Sequence, residues 1–199
     1  MEIYLIRHTT PAVAKGVCYG QTDLDITETF ITEANIIKNI LPNTIHQIYS
    51  SPLQRCTKLA NHLFTNKQIQ LHKNLMEINC GLWEMQNWND IPKEDINPWM
   101  EDFVNIRIPQ GENYIDLYNR VATTFSAIVH QQQHAAIVAH GGVLRSILSY
   151  ITNTPLIDSF NAFTLHYGCV VKINWVNNLP AYTMLSNIPH PKEIHKPQY

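Results

Sequence analysis

Ala136-Ile137-Val138-Ala139-His140-Gly141-Gly142-Val143-Leu144 is the stretch on which the fold turns. Four apolar residues with no polar alternate read as a strand buried on both faces, the pattern of a covered parallel sheet. The run ends in a histidine and two glycines and passes at once into an apolar helix, Val143 to Tyr150. Glycines there permit close approach to the backbone, and the free N–H groups of a helix start suit an anion such as phosphate. Taken alone, a strand-end histidine followed by Gly-Gly is more often a turn than a site.

Working outward, the same alternation recurs. Ile3 to Ile6 is a short strand that ends in Arg7-His8, and a loop with Pro11, Gly16 and Gly20 follows. Thr27 is placed to cap a helix carrying Ile31, Ala34, Ile37 and Leu41, stopped by Pro42. Ile45 to Tyr49 is a second strand. Ser51-Pro52-Leu53-Gln54 reads as a helix start with a cap, a first-position proline and a capping-box glutamine. That helix buries Leu53, Cys56, Leu59, Ala60 and Leu63, and a longer one carries Tyr118, Val121, Ala122, Phe125, Ile128 and Val129 on one face. Cys169 to Val176 and Ala181 to Ile188 form two strands around Asn177-Asn178.

The pattern predicts a single three-layer α/β domain over 1–188, with a mostly parallel sheet flanked by helices. Residues 74–112, rich in Trp, Asn and Pro, interrupt it as a short lid-like insertion, and 189–199 is a loosely held C-terminal tail.

Composition removes several classes of function. The 199 residues carry a formal net charge of −2, so no global field attracts nucleic acid or an anionic membrane. Positive charge that matters must be local. No window approaches the roughly 20 apolar residues of a spanning helix, and the N-terminus has no secretory pattern. Cys18, Cys56, Cys80 and Cys169 form no C-x-x-C pair and fit reduced thiols in a cytoplasm. Of the ten histidines, the eight other than His8 and His140 show no metal-ligand spacing.

Ligands of open α/β sheets bind beyond the carboxyl ends of the strands. Arg7-His8, Arg55 and His140 all fall at such ends. Arg55 lies one turn into a helix, where a cation opposes the macrodipole by about 0.3–1 kcal/mol unless an anion is bound. Two arginines and two histidines on one edge point to an anionic substrate.

These residues resemble the histidine phosphatase, or phosphoglycerate mutase-like, superfamily. Arg7-His8-Thr9 is similar to its signature tripeptide and Ser50-Ser51-Pro52-Leu53-Gln54-Arg55 to its second block. Glu77-x-x-x-Gly81-x-Trp83-Glu84, Pro109-Gln110-Gly111-Glu112 and Val138 to Arg145 complete five blocks in the family's order. Within it, Arg7 to Pro11, Gly16 to Asp23 and Arg55-Cys56-x-x-Leu59-Ala60 resemble the α-ribazole phosphatase subgroup. Three positions depart: Phe30 and Met85 replace glycines usual in the family, and Asn113 a serine. Met85 and Asn113 are expected to alter the substrate wall. The asparagine that mutases carry after the signature histidine is absent.

The resemblance implies a phosphoglycerate mutase-like fold and a phosphomonoesterase, hydrolysing α-ribazole 5′-phosphate, that works through a phosphohistidine. It implies His8 as nucleophile, Glu77 as general acid and base, and Arg7, Arg55 and His140 around the phosphoryl oxygens. Gly141 adds a backbone donor, while Tyr19 and Gly20 contact substrate. Glu84 reads as a carboxylate organising its loop. No metal or cofactor is expected, the partner is a small phosphomonoester, and a homodimer is compatible with the sequence. The rivals are a broad-specificity phosphatase, a phosphoglycerate mutase, and a non-catalytic phosphate-binding protein.

Overall fold

Strand β1 (Glu2–Arg7) has no face for water: Ile3 and Leu5 enter one apolar cluster, Tyr4 and Ile6 the other. Successive strand side chains point to opposite faces, so burying both requires a layer on each side. In the computed structural model, which describes residues 1–189, those layers are helical. Helices α1 (Phe30–Ile40) and α2 (Gln54–Leu63) cover the face of Tyr4 and Ile6. Helices α4 (Tyr114–His130) and α5 (Gly141–Thr152) cover that of Ile3 and Leu5.

The six-stranded sheet runs β3 (Ile69–Leu71), β2 (Gln47–Ser50), β4 (Ala135–Ala139), β1, β5 (Val170–Val176), β6 (Leu179–Ser186). Its first four strands are mutually parallel, and the last two join antiparallel. β1 and β4 pair through Arg7 and Ala139, so His8 and His140 leave the sheet side by side. The hairpin turns at Asn177 and Asn178, with φ of 51° and 65°, values that asparagine tolerates and a tight two-residue turn demands.

Several element boundaries differ from the sequence reading; β2, for one, runs Gln47–Ser50 and not Ile45 to Tyr49. α1 begins at Phe30 with Thr29 at its N-cap; the Thr27 hydroxyl pairs with the Thr29 hydroxyl instead. α2 begins at Gln54, because Ser51 Oγ accepts from the Leu53 N–H and closes a turn around Pro52. No capping box forms there: Asp23 Oδ1 accepts from the Gln54 N–H at 2.7 Å, and Gln54 Nε2 donates to Asp23 O. α5 takes both glycines into its first turn, and β6 begins directly after the hairpin turn.

The insertion is more regular than its composition suggests. It holds short 3₁₀ turns at Lys73–Leu75, Gly81–Trp83 and Trp88–Asp90, then α3 (Lys93–Glu101) with Pro98 inside it. Cys18, Cys80, Trp83, Trp88, Ile91, Ile96 and Ile108 form its own apolar cluster. A short α6 (Ser159–Ala162) precedes β5. All four cysteines are buried, and none is in a disulfide among the described residues. Among the described residues no helix is long and apolar enough to cross a membrane. The tail expected over 189–199 lies, Pro189 apart, outside the described residues.

Candidate active site

His8 and His140 emerge from paired strands, and their rings stand 5.1 Å apart, edge to face. His8 Nδ1 lies 2.7 Å from Thr9 O, which only an N–H can satisfy. That bond places the lone pair of the neutral ring on Nε2. His140 is fully buried, with Nε2 2.8 Å from Ser51 Oγ and 3.5 Å from Cys56 Sγ. Burial, then the charges of Arg55, His8 and Arg7, pushes its pKa well below the usual value of 6.5. His140 is therefore held in its neutral form.

Arg55 is also fully buried, yet no carboxylate of the described residues pairs with it. Its Nη1 donates to Thr22 O at 2.9 Å and Nη2 to Gly20 O at 2.7 Å, while Nε has no partner among the described residues. Carbonyls orient the guanidinium without neutralising it, which leaves a net cation at the strand edge. Arg7 lies 4.1 Å from the Tyr167 ring centroid and Arg55 5.5 Å from that of Tyr19. The two tyrosine hydroxyls are 2.6 Å apart.

Gly20 serves this arrangement through its backbone. A Cβ there would come within 1.9 Å of Ile78 O, and its N–H donates to Glu84. Glu84 accepts from the N–H groups of Gly20, Gln21, Thr22 and Cys80 and from the Thr22 hydroxyl. Burial pushes its pKa up, but these donors outweigh it and hold the carboxyl below its usual range. Glu84 thus ties the loop carrying Tyr19 to the insertion.

Glu77 projects from the opposite wall. Its Oε1 accepts from the Ile78 N–H at 2.9 Å and its Oε2 from Gly142 at 3.0 Å. Its backbone is clasped by Arg120, whose Nη2 donates to Glu77 O at 2.8 Å and which pairs bidentately with Glu112. Glu112 also accepts from the Asn79 N–H, so the Pro-x-Gly-Glu block positions the Glu77 segment.

A cleft of about 100 Å³ opens over these groups, lined by Arg7, His8, Tyr19, Glu77, Gly141 and Gly142. Trp88, Trp99, Phe103, Tyr114 and Phe160 form its apolar wall, with Trp88 and Trp99 stacked at 5.9 Å. Trp83 packs against both in the insertion core. Arg55 and His140 lie beneath the cleft, and Gly20 lies outside its lining. The departures take other places than expected. Asn113 is the N-cap of α4, in a capping box with Asp116. Met85 is half-exposed at φ 66°, a left-handed conformation that glycine adopts without strain.

Sequence reasoning placed Arg145 in the last family block but gave it no role. It is buried at the cleft wall with its guanidinium over the Phe160 ring. The signal was present: it is the lone charge in an otherwise apolar helix.

Two strand-end histidines, buried arginines and a carboxylate thus gather at one edge of the sheet, and the chain belongs to the histidine phosphatase superfamily (branch 1), whose family model matches residues 3–188. It is accordingly a hydrolase of phosphoric monoesters. Among relatives, the adenosylcobalamin/α-ribazole phosphatase of Escherichia coli K12 is 25% identical, over 85% of this chain and 87% of that protein. The α-ribazole phosphatase of Shigella flexneri superposes with a TM-score of 0.84 at 20% identity, covering 96% of this chain and all of the other, 100%. A phosphoserine phosphatase of Entamoeba histolytica, solved with phosphoserine, gives 0.78 at 21% identity over 93% and 96% of the two chains. These likenesses show the phosphoglycerate mutase-like fold.

Proposed function

We propose that the protein is a metal-independent phosphomonoesterase that passes the phosphoryl group first to His8 and then to water. The observation that carries this reading is the Nδ1 hydrogen bond of His8 to Thr9 O, which leaves Nε2 as a nucleophile beside His140. Nε2 attacks phosphorus as the ester P–O bond breaks, and Glu77 gives its proton to the leaving alkoxide. Glu77 then takes a proton from water, whose oxygen attacks the phosphohistidine and breaks the N–P bond. Arg7 and Arg55 compensate the charge spread over the phosphoryl oxygens, while neutral His140 and the Gly141 N–H donate hydrogen bonds to them.

For the alcohol, the subgroup resemblance and the E. coli relative support α-ribazole 5′-phosphate, whose flat base would stack on the aromatic wall with Tyr19 beside it. Arg145 favours a second reading, a small phosphorylated acid. A cytoplasmic enzyme without nucleic-acid or membrane partners goes with either, and sedimentation distinguishes monomer from homodimer.

Rapid acid quench with ³²P-labelled substrate tests the reaction: acid-labile label on His8 is expected, and label on another residue sinks the assignment. Comparing kcat/KM for α-ribazole 5′-phosphate with simple phosphomonoesters tests the alcohol, and no preference for it removes that substrate. Mutase activity dependent on 2,3-bisphosphoglycerate would overturn hydrolysis as the main reaction. Phosphate binding without turnover of any ester would leave a binding protein.

A further inference from the structure

The backbone of His8 is fixed on both sides: its N–H donates to Ala139 O at 3.0 Å, and its C=O accepts from the Gly168 N–H at 3.1 Å. The peptide unit that follows, between Thr9 and Thr10, lies beyond the end of β1 and belongs to no strand or helix. Both residues are buried, so its two polar groups need partners from the protein. Its C=O takes the His8 Nδ1–H at 2.7 Å. Its N–H donates to Glu33 Oε2 at 2.9 Å, across 23 residues of sequence.

Glu33 is half-buried in the first turn of α1. The Thr10 hydroxyl donates to the same Oε2 at 3.1 Å, and the Thr29 hydroxyl donates to Oε1. Three donors therefore hold the carboxylate, and among the described residues no cation pairs with it. An ionised carboxylate on a backbone N–H makes a charge-assisted bond.

The peptide is trans and planar, so its N–H and C=O point in opposite directions and turn together. Carboxylate and imidazole thus grip opposite edges of one rigid plate. The bond at Glu33 aims the Thr9 carbonyl at His8 Nδ1, and hydrogen bonds in such a chain polarise one another. Stabilising α1 does not require this contact, because an acid in the first turn favours the macrodipole even when it faces water.

We propose that Glu33 is a positioning residue for the nucleophile, acting through the Thr9–Thr10 peptide to keep the His8 proton on Nδ1 and the lone pair on Nε2. The inference rests on the phosphohistidine reading and extends its nucleophile to a carboxylate one peptide away. A neutral imidazole carries its proton on either nitrogen, and the hydrogen bond made by one decides which. The form protonated on Nε2 has no lone pair there to attack phosphorus.

Nitrogen-15 spectra of histidine-labelled protein read the His8 tautomer directly, and the wild type is expected to show the Nδ1–H form. Glu33→Ala should populate the Nε2–H form as well and lower kcat/KM on phosphomonoesters by about 10–100-fold. Inhibition by inorganic phosphate should be unchanged. Glu33→Gln, whose amide oxygen accepts the same N–H, should recover most of the tautomer and of the rate. A Glu33→Ala variant that loses stability but keeps both tautomer and kcat/KM overturns the assignment. Should that variant not fold, hydrogen exchange of the wild type decides: the Thr10 amide is expected to be protected, and exchange as fast as in exposed loops overturns the proposal. Rapid quench separates the two levels. Acid-labile label on His8 formed by Glu33→Ala at the wild-type rate removes Glu33 alone; label on another residue of the wild type removes the phosphohistidine as well.

Discussion

Glu77 Oε2 accepts a hydrogen bond from the Gly142 N–H at 3.0 Å, so the carboxylate proposed to handle protons is fastened to the helix that follows His140. The fit leaves no room at Gly142: a Cβ would stand 2.3 Å from Glu77 Oε1 and 2.9 Å from Leu117 Cδ2.

Gly142→Ala should therefore displace the Glu77 carboxylate and mimic Glu77→Gln. Both are expected to lower kcat on alkyl phosphates by about 10²–10⁴-fold. The loss should shrink on p-nitrophenyl phosphate, whose leaving group needs no proton. Steady-state kinetics on both ester types checks this, and a double variant no worse than either single one would show that the two act as a unit.

Arg55 combines two tasks, holding the Gly20 and Thr22 carbonyls and supplying charge. Arg55→Ala should remove most activity, on the order of 10²–10³-fold in kcat. Arg55→Lys is expected to recover little, because an ammonium cannot span both carbonyls in a plane. Kinetics and phosphate binding by calorimetry measure the two parts.

Glu84→Ala strips the acceptor from four backbone N–H groups and one hydroxyl. A loss of about 2–4 kcal/mol is expected in urea unfolding, with Glu84→Gln in between. Because the folded carboxyl titrates below its unfolded value, the ionised group stabilises above about pH 4.5. That contribution disappears as pH falls through the folded pKa, and Glu84→Gln should lack this acid limb.

His140 has the opposite chemistry. Its folded pKa lies below the unfolded 6.5, so the unfolded chain binds more protons between the two values. Stability should rise with pH across that window, by at most about 1.4 kcal/mol per unit. Melting temperature is expected to fall as pH drops from 7 toward 5, and His140→Gln should flatten the trend. Orthovanadate, bound beside the ring as a phosphate mimic, should also offset it.

Much of this was legible in the chain. Ile3 to Ile6 and Ala136 to Ala139 announce strands buried on both faces, and the polar residues closing each run mark the active edge. Glu84 was legible as a loop organiser, and four backbone N–H groups and one hydroxyl donate to it. What escaped depends on partners distant in sequence. The first N–H of α2 is capped by Asp23, 31 residues earlier, which no local capping rule anticipates. α3 tolerates Pro98 because Ile96 and the tryptophans bury its inner side. Arg145 was masked by the apolar run around it, although a lone cation in such a run is itself a signal.

The pairing of Arg7 with Ala139 has one more consequence. Adjacent strands of any sheet repeat at about 4.8 Å, and the two histidine rings stand 5.1 Å apart. The reaction centre thus inherits its spacing from the backbone lattice, a ruler that side-chain substitution cannot reset. The apolar wall comes instead mostly from the insertion and α6, with Tyr114 from the start of α4. Selection can redraw that wall for a new alcohol while the distance across which phosphorus is handled stays constant.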